Sequence, residues 1–111
     1  MSERPPLPGG PYLVVGMARS GVAALHALRA RGIEAIGVDS GTPDVAEEGV
    51  HLGSDGVALL RSAGIATVVK SPGVPQEAPV IAAARARGLA VMGELELAWR
   101  LLPNPFVAVT G

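Results

Sequence analysis

Apolar residues follow two different spacings that alternate along this chain. Residues 12–15 (YLVV) form an unbroken apolar run with β-branched members, and a glycine follows at once, which predicts a buried strand and a tight turn. Beyond the turn, Val22, Leu25 and Leu28 recur at helical spacing until Gly32, which predicts a helix that ends at this glycine. The ordered part of the chain therefore begins with a strand, a glycine turn and a helix.

The same alternation continues to residue 102. Further strands are predicted at 34–40, 50–52, 65–71 and 89–92, and further helices over 57–63, 77–87 and 94–102. The strand at 50–52 is a minor one, Ser54 or Asp55 is expected to cap the next helix, and Gly64 and Gly88 are expected to close two of the helices. This alternation with tight connections predicts a Rossmann-like, doubly wound parallel α/β sheet of about five strands in a single domain.

The two ends of the chain depart from this pattern. Residues 1–11 contain a proline cluster without an apolar run, so we expect a flexible N-terminal lead. Residues 12–103 are expected to form the globular domain. Residues 104–111 contain a new apolar strand with no helix after it, so we expect them to be the truncated first strand of a further domain.

Composition excludes several classes of function. The sequence has no cysteine, which excludes disulfides, thiolate metal sites and thiol nucleophiles. A formal net charge of −1 provides no basic surface for nucleic acid. No apolar run approaches the roughly 20 residues that a membrane span needs. We therefore expect a cytoplasmic protein with neither a nucleic-acid partner nor a membrane partner.

The first turn fits a phosphate-binding pattern. Gly16, Ala18 and Gly21 match G-x-G-x-x-G with alanine at the second glycine position. In such a turn the first glycine permits a sharp bend, the second position lets phosphates approach, and the third lets the helix pack on the strand. Because any strand-to-helix turn favours glycine, the motif indicates a phosphate-binding site only together with the neighbouring loops.

Two later loops provide this context. Asp39 ends the second strand 18 residues after Gly21, close to the offset of about 20 residues at which an acid meets a ribose hydroxyl or a base. Ser71, Pro72 and Gly73 follow the next main strand, and Gly73 is predicted to supply the positive φ of a type II turn. Since the carboxyl ends of parallel strands share one edge, the three loops are expected to rim one ligand crevice.

The remaining polar residues predict neither a catalytic nor a metal site. Ser20 and Ser71 have no histidine in register for nucleophilic catalysis. Glu94 and Glu96 point apart on their predicted helix, where Glu94 is expected to favour the helix N-terminus through the dipole. Lys70 could help to neutralise a phosphate at the crevice, although a solvated surface role is the simpler interpretation.

Five motifs, VVGMARSG, GVDS, VVKSPGVP, GELEL and PFVAVTG, follow one another along the chain. In this order and at these intervals they resemble the N-terminal domain of the bacterial Mur ligases of peptidoglycan synthesis, most closely the branch that adds D-glutamate. The resemblance covers nearly the whole chain beyond residue 11. It implies a UDP-binding site formed by Gly16, Ala18, Arg19, Ser20, Gly21, Asp39, Ser40, Ser71 and Gly73.

The resemblance also assigns parts of the nucleotide to these loops. It implies that Ala18, Arg19 and Ser20 touch the UDP moiety, that Asp39 and Ser40 contact uracil, and that Ser71 and Gly73 close over the nucleotide. Members of the family often carry an arginine after the Asp-Ser/Thr pair, where this chain has Gly41. The Arg19 guanidinium offers a plane that can stack on uracil instead.

For the longer protein, the resemblance implies an ATP- and Mg²⁺-dependent ligase that joins D-glutamate to UDP-N-acetylmuramoyl-L-alanine through an acyl phosphate. The last motif would run on into the ATP-binding loop, so this chain is expected to be an inactive, monomeric fragment without a cofactor of its own. Two alternatives stay open, a regulatory Rossmann module that binds NAD(P) or another nucleotide, and the N-terminal domain of the L-alanine-adding Mur ligase.

Overall fold

Five parallel strands form the centre of the molecule in a computed structural model that describes residues 7–101. The strands are β1 (Tyr12–Val15), β2 (Ala35–Asp39), β3 (Val50–Leu52), β4 (Thr67–Lys70) and β5 (Ala90–Gly93). The helices are α1 (Arg19–Ala30), α2 (Val57–Ser62), α3 (Pro79–Ala86) and α4 (Glu94–Leu101). None of these helices has the length and apolar character needed to cross a bilayer. The predicted α/β fold with a parallel sheet is confirmed, and the minor strand is present as β3.

The strands lie in the order β3-β2-β1-β4-β5, and every neighbouring pair is parallel. The first strand is therefore central, and its last residue, Val15, pairs with Val38 of β2 on one side and Lys70 of β4 on the other. The chain builds outward from β1 to β3 and then crosses to β4. Such a reversal of direction creates a crevice at the carboxyl ends of the strands, where open α/β sheets bind their ligands.

Alternate side chains of β1 enter two separate hydrophobic cores. Tyr12 and Val14 belong to the core that includes α1 and α4, whereas Leu13 and Val15 belong to the core that includes α2 and α3. None of the four residues is more than 6% exposed. A central parallel strand with helices on both faces requires apolar residues at every position, which explains the unbroken run that marks this strand in the sequence.

Three of the helices end in the same way. Each is followed by a glycine with φ between 64° and 77°, namely Gly32, Gly64 and Gly88. The N–H of the residue after the glycine donates to the carbonyl five residues earlier, from Ile33 to Leu28, Ile65 to Leu60 and Leu89 to Ala84, at 3.0–3.1 Å. This is the Schellman arrangement, which satisfies carbonyls that the helix leaves without partners. The glycines predicted to end these helices are therefore confirmed in that role.

The start of α2 requires a correction. Its N-cap residue is Gly56, in the left-handed region at φ 82°, rather than Ser54 or Asp55. The two predicted caps instead accept hydrogen bonds from the backbone two residues further on, Ser54 Oγ from Gly56 N–H at 3.1 Å and Asp55 Oδ1 from Val57 N–H at 2.9 Å. Short polar side chains form such local turns readily, and here these turns lead the chain into the helix.

Residues 7–11, which the sequence assigns to a flexible lead, pack against the sheet. Leu7 contacts the core on the side of α1 and α4. The Tyr12 hydroxyl donates to the Pro8 carbonyl at 2.6 Å, and the Thr67 hydroxyl donates to the Gly9 carbonyl at 2.7 Å. Buried hydroxyls require acceptors, and this segment supplies them. Residues 1–6 of the predicted lead and the predicted truncated strand at 104–111 lie outside the described residues.

Candidate functional site

The turn between β1 and α1 depends on its first and last glycines. Gly16 has a φ of +101°, a conformation that residues with a side chain rarely adopt. A Cβ on Gly21 would lie 1.8 Å from the carbonyl oxygen of Gly16. Only glycine therefore lets α1 start this close to the strand. The sharp bend and the close helix packing expected of these two positions are both present.

The N-terminus of α1 carries no side-chain cap. Its N-cap residue is Ala18, whose methyl group accepts no hydrogen bond, and the first turn contains no acidic residue. The first N–H groups of a helix have no partner within the helix, and together with the helix dipole they favour a bound anion. Ala18, Arg19 and Ser20 are all exposed. A ligand can therefore reach the start of α1 from solvent.

Asp39 joins the turn after β1 to the loop after β2. Its Oδ2 accepts a hydrogen bond from Met17 N–H at 2.7 Å, and its Oδ1 accepts one from Gly41 N–H at 2.8 Å. The backbone carbonyl of Asp39 also accepts from Ser54 N–H at 3.2 Å. The carboxylate therefore fixes both loops. Each of its oxygens retains a further lone pair with which it can accept a hydrogen bond from a ligand.

The loop after β4 is a tight turn from Ser71 to Val74. The N–H of Val74 donates to the Ser71 carbonyl at 3.0 Å, and the Lys70 ammonium group donates to the Val74 carbonyl at 2.8 Å. Gly73 is not among the glycines with positive φ, so the predicted type II turn is wrong, since that class needs positive φ at this position. Lys70 therefore stabilises the loop by donating hydrogen bonds to the carbonyls of Ser71 and Val74.

Ser71 lies beneath the glycine turn and is 6% exposed. Its Oγ lies 3.3 Å from the carbonyl oxygen of Gly16 and 2.5 Å from Oε2 of Glu94. A Cβ on Gly16 would approach the same Oγ to 2.7 Å. The serine side chain thus fills the space that the first glycine leaves open, and it connects the turn after β1 to the start of α4.

The predicted site residues occupy four environments. Four of them line one crevice of about 190 Å³ at the carboxyl edge of the sheet, namely Gly16, Asp39, Ser40 and Gly73. The others surround the start of α1: Ala18 and Arg19 are exposed, Ser20 borders an apolar groove between α1 and α4, and Gly21 and Ser71 are buried beneath the turn. The three loops therefore meet at one edge, with the helix start beside the crevice.

The structure brings three further residues, which the sequence did not assign to the site, close to the crevice. Ser54 and Asp55, expected only as helix caps, line the crevice from the loop before α2. Glu94 reaches Ser71 from the first turn of α4. The signal for Glu94 is its place in the fold, because it directly follows β5, the neighbour of β4, and so lies at the same carboxyl edge.

The sequence is similar to D-glutamate-adding ligases from several bacteria. The UDP-N-acetylmuramoylalanine–D-glutamate ligase of Myxococcus xanthus (strain DK1622) is 45% identical over 95% of this chain, and that of Frankia casuarinae is 42% identical over 93%. The ligase of Rippkaea orientalis is 38% identical over 88% of the chain. This chain spans only about a quarter of the length of these relatives, between 24% and 25%. No protein-family model matches it.

Among solved structures, the UDP-D-quinovosamine 4-dehydrogenase of Vibrio fischeri aligns with a TM-score of 0.50 and 18% sequence identity. The alignment covers 77% of this chain and 75% of that chain. At this identity the similarity shows a shared Rossmann-like fold alone. The identities to the ligases are much higher, and the matched segments include almost the whole chain. Over almost its whole length the chain is therefore a homologue of UDP-N-acetylmuramoylalanine–D-glutamate ligases and aligns with about a quarter of their length.

Proposed function

We propose that this chain is the N-terminal, substrate-anchoring domain of a ligase that adds D-glutamate to UDP-N-acetylmuramoyl-L-alanine, and that it binds the UDP moiety. The observation that carries the proposal is the uncapped N-terminus of α1 beside the crevice at the carboxyl edge of the sheet. A helix start of this kind supplies the donors and the positive dipole end that a diphosphate needs. The names of the relatives support the choice of a UDP-linked substrate.

In this proposal the diphosphate binds at the first turn of α1. The backbone N–H groups of this turn donate to phosphate oxygens, and the exposed Ser20 hydroxyl donates one more hydrogen bond. The Arg19 guanidinium adds a positive charge on the same turn. The Ala18 methyl group leaves a phosphate less room to approach the backbone than glycine would. Because Ala18 is the N-cap residue and its side chain accepts no hydrogen bond, the N–H groups at the helix start stay accessible.

The uracil ring enters the crevice between the loops after β2 and β4. Uracil presents a ring N–H between two carbonyl oxygens, so the Asp39 carboxylate can accept from the N–H while Ser40 donates to a carbonyl. A Cβ on Gly73 would meet no atom within 4 Å, which leaves the mouth of the crevice open on that side. Val15, Val38 and Val80 provide apolar walls for the ring.

The proposal assigns ATP, Mg²⁺ and D-glutamate to the three quarters of the relatives' length that this chain does not span. Among residues 7–101, no three His, Asp or Glu side chains come together in a way that could hold a metal ion. The proposal places neither a magnesium site nor a chemical step in this part of the chain. Its own role is to bind, and we propose that it is inactive alone, monomeric and cytoplasmic.

A two-dimensional NMR titration of the labelled chain with UDP, and separately with NAD, tests the proposal. We expect UDP at millimolar concentration to shift the amide signals of residues 16–21, 39–41 and 71–73, and NAD to leave them in place. The affinity of this chain alone should be weak, since it spans only about a quarter of the relatives' length. The same signals moving only with NAD would replace the proposal with a dinucleotide-binding module.

A matched pair of serine variants separates the helix start from general surface effects. Ser20→Ala removes the donor at the start of α1 and is expected to weaken UDP binding about fivefold, the equivalent of one hydrogen bond of about 1 kcal/mol. Ser62→Ala, at the exposed C-terminal end of α2, is the control and should leave the affinity unchanged. Equal affinities for both variants would remove Ser20 from the proposed site.

A further inference from the structure

The Ser71 hydroxyl has one proton and two neighbouring acceptors. Its Oγ lies 2.5 Å from Oε2 of Glu94 and 3.3 Å from the carbonyl oxygen of Gly16. A hydroxyl has a single hydrogen to donate, and an ionised carboxylate is a stronger acceptor than a peptide carbonyl. In this structure the Ser71 proton is therefore directed at Glu94 and away from the crevice.

A phosphate at this loop would need the same proton. The diphosphate of a UDP-linked sugar has only acceptor oxygens, so Ser71 can donate to it only after releasing Glu94. The carboxylate also carries a negative charge at the edge where the phosphates would lie, and like charges at short range repel. The nearest described cation on this loop, Lys70, is occupied with the carbonyl of Val74.

We infer that Glu94 is a specificity-determining residue that lowers the affinity of the loop after β4 for an anionic ligand. The inference rests on the proposed UDP site and deepens it. Glu94 retains the hydroxyl proton of Ser71 and opposes phosphate charge beside it. The uracil and the first turn of α1 then contribute most of the binding free energy, and the loop after β4 contributes little to the binding of phosphate.

The test compares a charged and a neutral ligand on matched variants. Glu94→Gln keeps the size of the side chain and removes its charge, and Glu94→Ala removes the acceptor without introducing an amide donor. Glu96→Gln, an exposed residue in the same first turn, is the control for the loss of one negative charge from α4. Affinities for UDP and for uridine are measured by NMR titration at one fixed salt concentration.

We expect both Glu94 variants to bind UDP about fivefold more tightly than the unaltered chain, as expected for the removal of one partly screened like charge. Uridine affinity should not change, and Glu96→Gln should behave as the unaltered chain for both ligands. A thermal unfolding curve for each variant verifies that it is folded.

The outcomes separate this inference from the proposed function. UDP binding that is equal or weaker in the Glu94 variants, or a gain of equal size for uridine, would overturn the inference while the UDP site stands. An equal gain in Glu96→Gln would assign the effect to net charge and would overturn it as well. A folded chain that binds neither UDP nor uridine in any variant would contradict both the inference and the proposed function.

Discussion

The two edges of the sheet are stabilised by different means. At the amino edge, three helix-to-strand connections use one local motif, a glycine with positive φ and a hydrogen bond that spans five residues. At the carboxyl edge, side chains join loops that are distant in sequence, since Asp39 binds the N–H of Met17 and Ser71 binds Glu94 across 22 and 23 residues. The amino edge is determined locally, whereas the carboxyl edge depends on the completed fold.

Glycine shows the physical basis of this difference. At the amino edge, a Cβ on Gly32, Gly64 or Gly88 would meet no atom within 4 Å, so these positions require glycine only for their backbone conformation. At the carboxyl edge, a Cβ on Gly16 would overlap Ser71 of the loop after β4, and a Cβ on Gly21 would overlap the backbone of Gly16. The same residue type thus relieves local strain at one edge and prevents a steric clash at the other. Substitutions at the two edges should therefore differ in cost.

The largest effect is expected for Gly21→Ala. The new Cβ would lie 1.8 Å from the Gly16 carbonyl oxygen, which is a rigid backbone atom, so α1 must move away from β1. We expect the free energy of unfolding to fall by about 3 kcal/mol or more, at the upper end of the range for overpacked sites. Urea denaturation followed by circular dichroism measures the change.

The UDP titration provides a second measurement for Gly21→Ala. Displacement of α1 should also abolish the UDP-induced shifts of residues 16–21. A loss of stability below about 1 kcal/mol would mean that the turn yields readily and that the two edges do not differ as argued.

The second largest effect is expected for Asp39→Ala. The variant removes the acceptor for two backbone N–H groups, and hydrogen bonds to a charged group contribute about 1.5–3 kcal/mol. We expect a loss of about 2 kcal/mol, with large changes in the amide signals of Met17 and Gly41. Asp44→Ala, an exposed position in the same connection, is the control and should change stability by less than about 0.5 kcal/mol. Similar losses for both variants would refute the bridging role of Asp39.

A smaller effect is expected for Gly64→Ala at the amino edge. Its φ of 64° places an alanine in the left-handed region, which costs roughly 1–2 kcal/mol, while the open surroundings add no clash. We expect a loss of about 1 kcal/mol in urea denaturation and no effect on the UDP titration. A loss as large as that of Gly21→Ala would show that both edges are limited by the same kind of constraint.

The sequence predicts the amino edge better than the carboxyl edge, because the amino edge is determined by local patterns. The run at 12–15, the helical spacings and the closing glycines are local patterns, and they yield the strands, the parallel fold and the ends of three helices. The sequence pattern misassigns the cap of α2 and the conformation of Gly73, because several local turns suit the same residues, and the partner of Ser71 lies on a segment that meets it only in the folded chain. Glu94 illustrates this limit, because its sequence neighbours indicate a helix start while its position beside β4 brings it to Ser71.

The smallest expected effect is a loss of stability caused by the titration of Tyr12, at the start of β1. It occurs only in alkaline solution. Burial raises the pKa of Tyr12 above its ordinary value of 10.0, although Thr67 and the charge of Arg100 act in the opposite direction. Between the unfolded and the folded pKa, the unfolded chain has lost a proton that the folded chain retains. The free energy of unfolding should therefore be independent of this group below pH 10.0 and fall as the pH rises through the folded pKa.

Tyr12 is the single tyrosine of the sequence, so the absorbance of its phenolate reports this titration directly. The midpoint in the folded chain should lie above the midpoint measured in concentrated urea, and Tyr12→Phe should remove the alkaline decline in stability due to this group. The folded midpoint also tests residues 7–11, because the Tyr12 hydroxyl donates to the Pro8 carbonyl. Coincident midpoints would mean that solvent reaches this hydroxyl, and the segment would then not seal the amino end of β1 as the structure indicates.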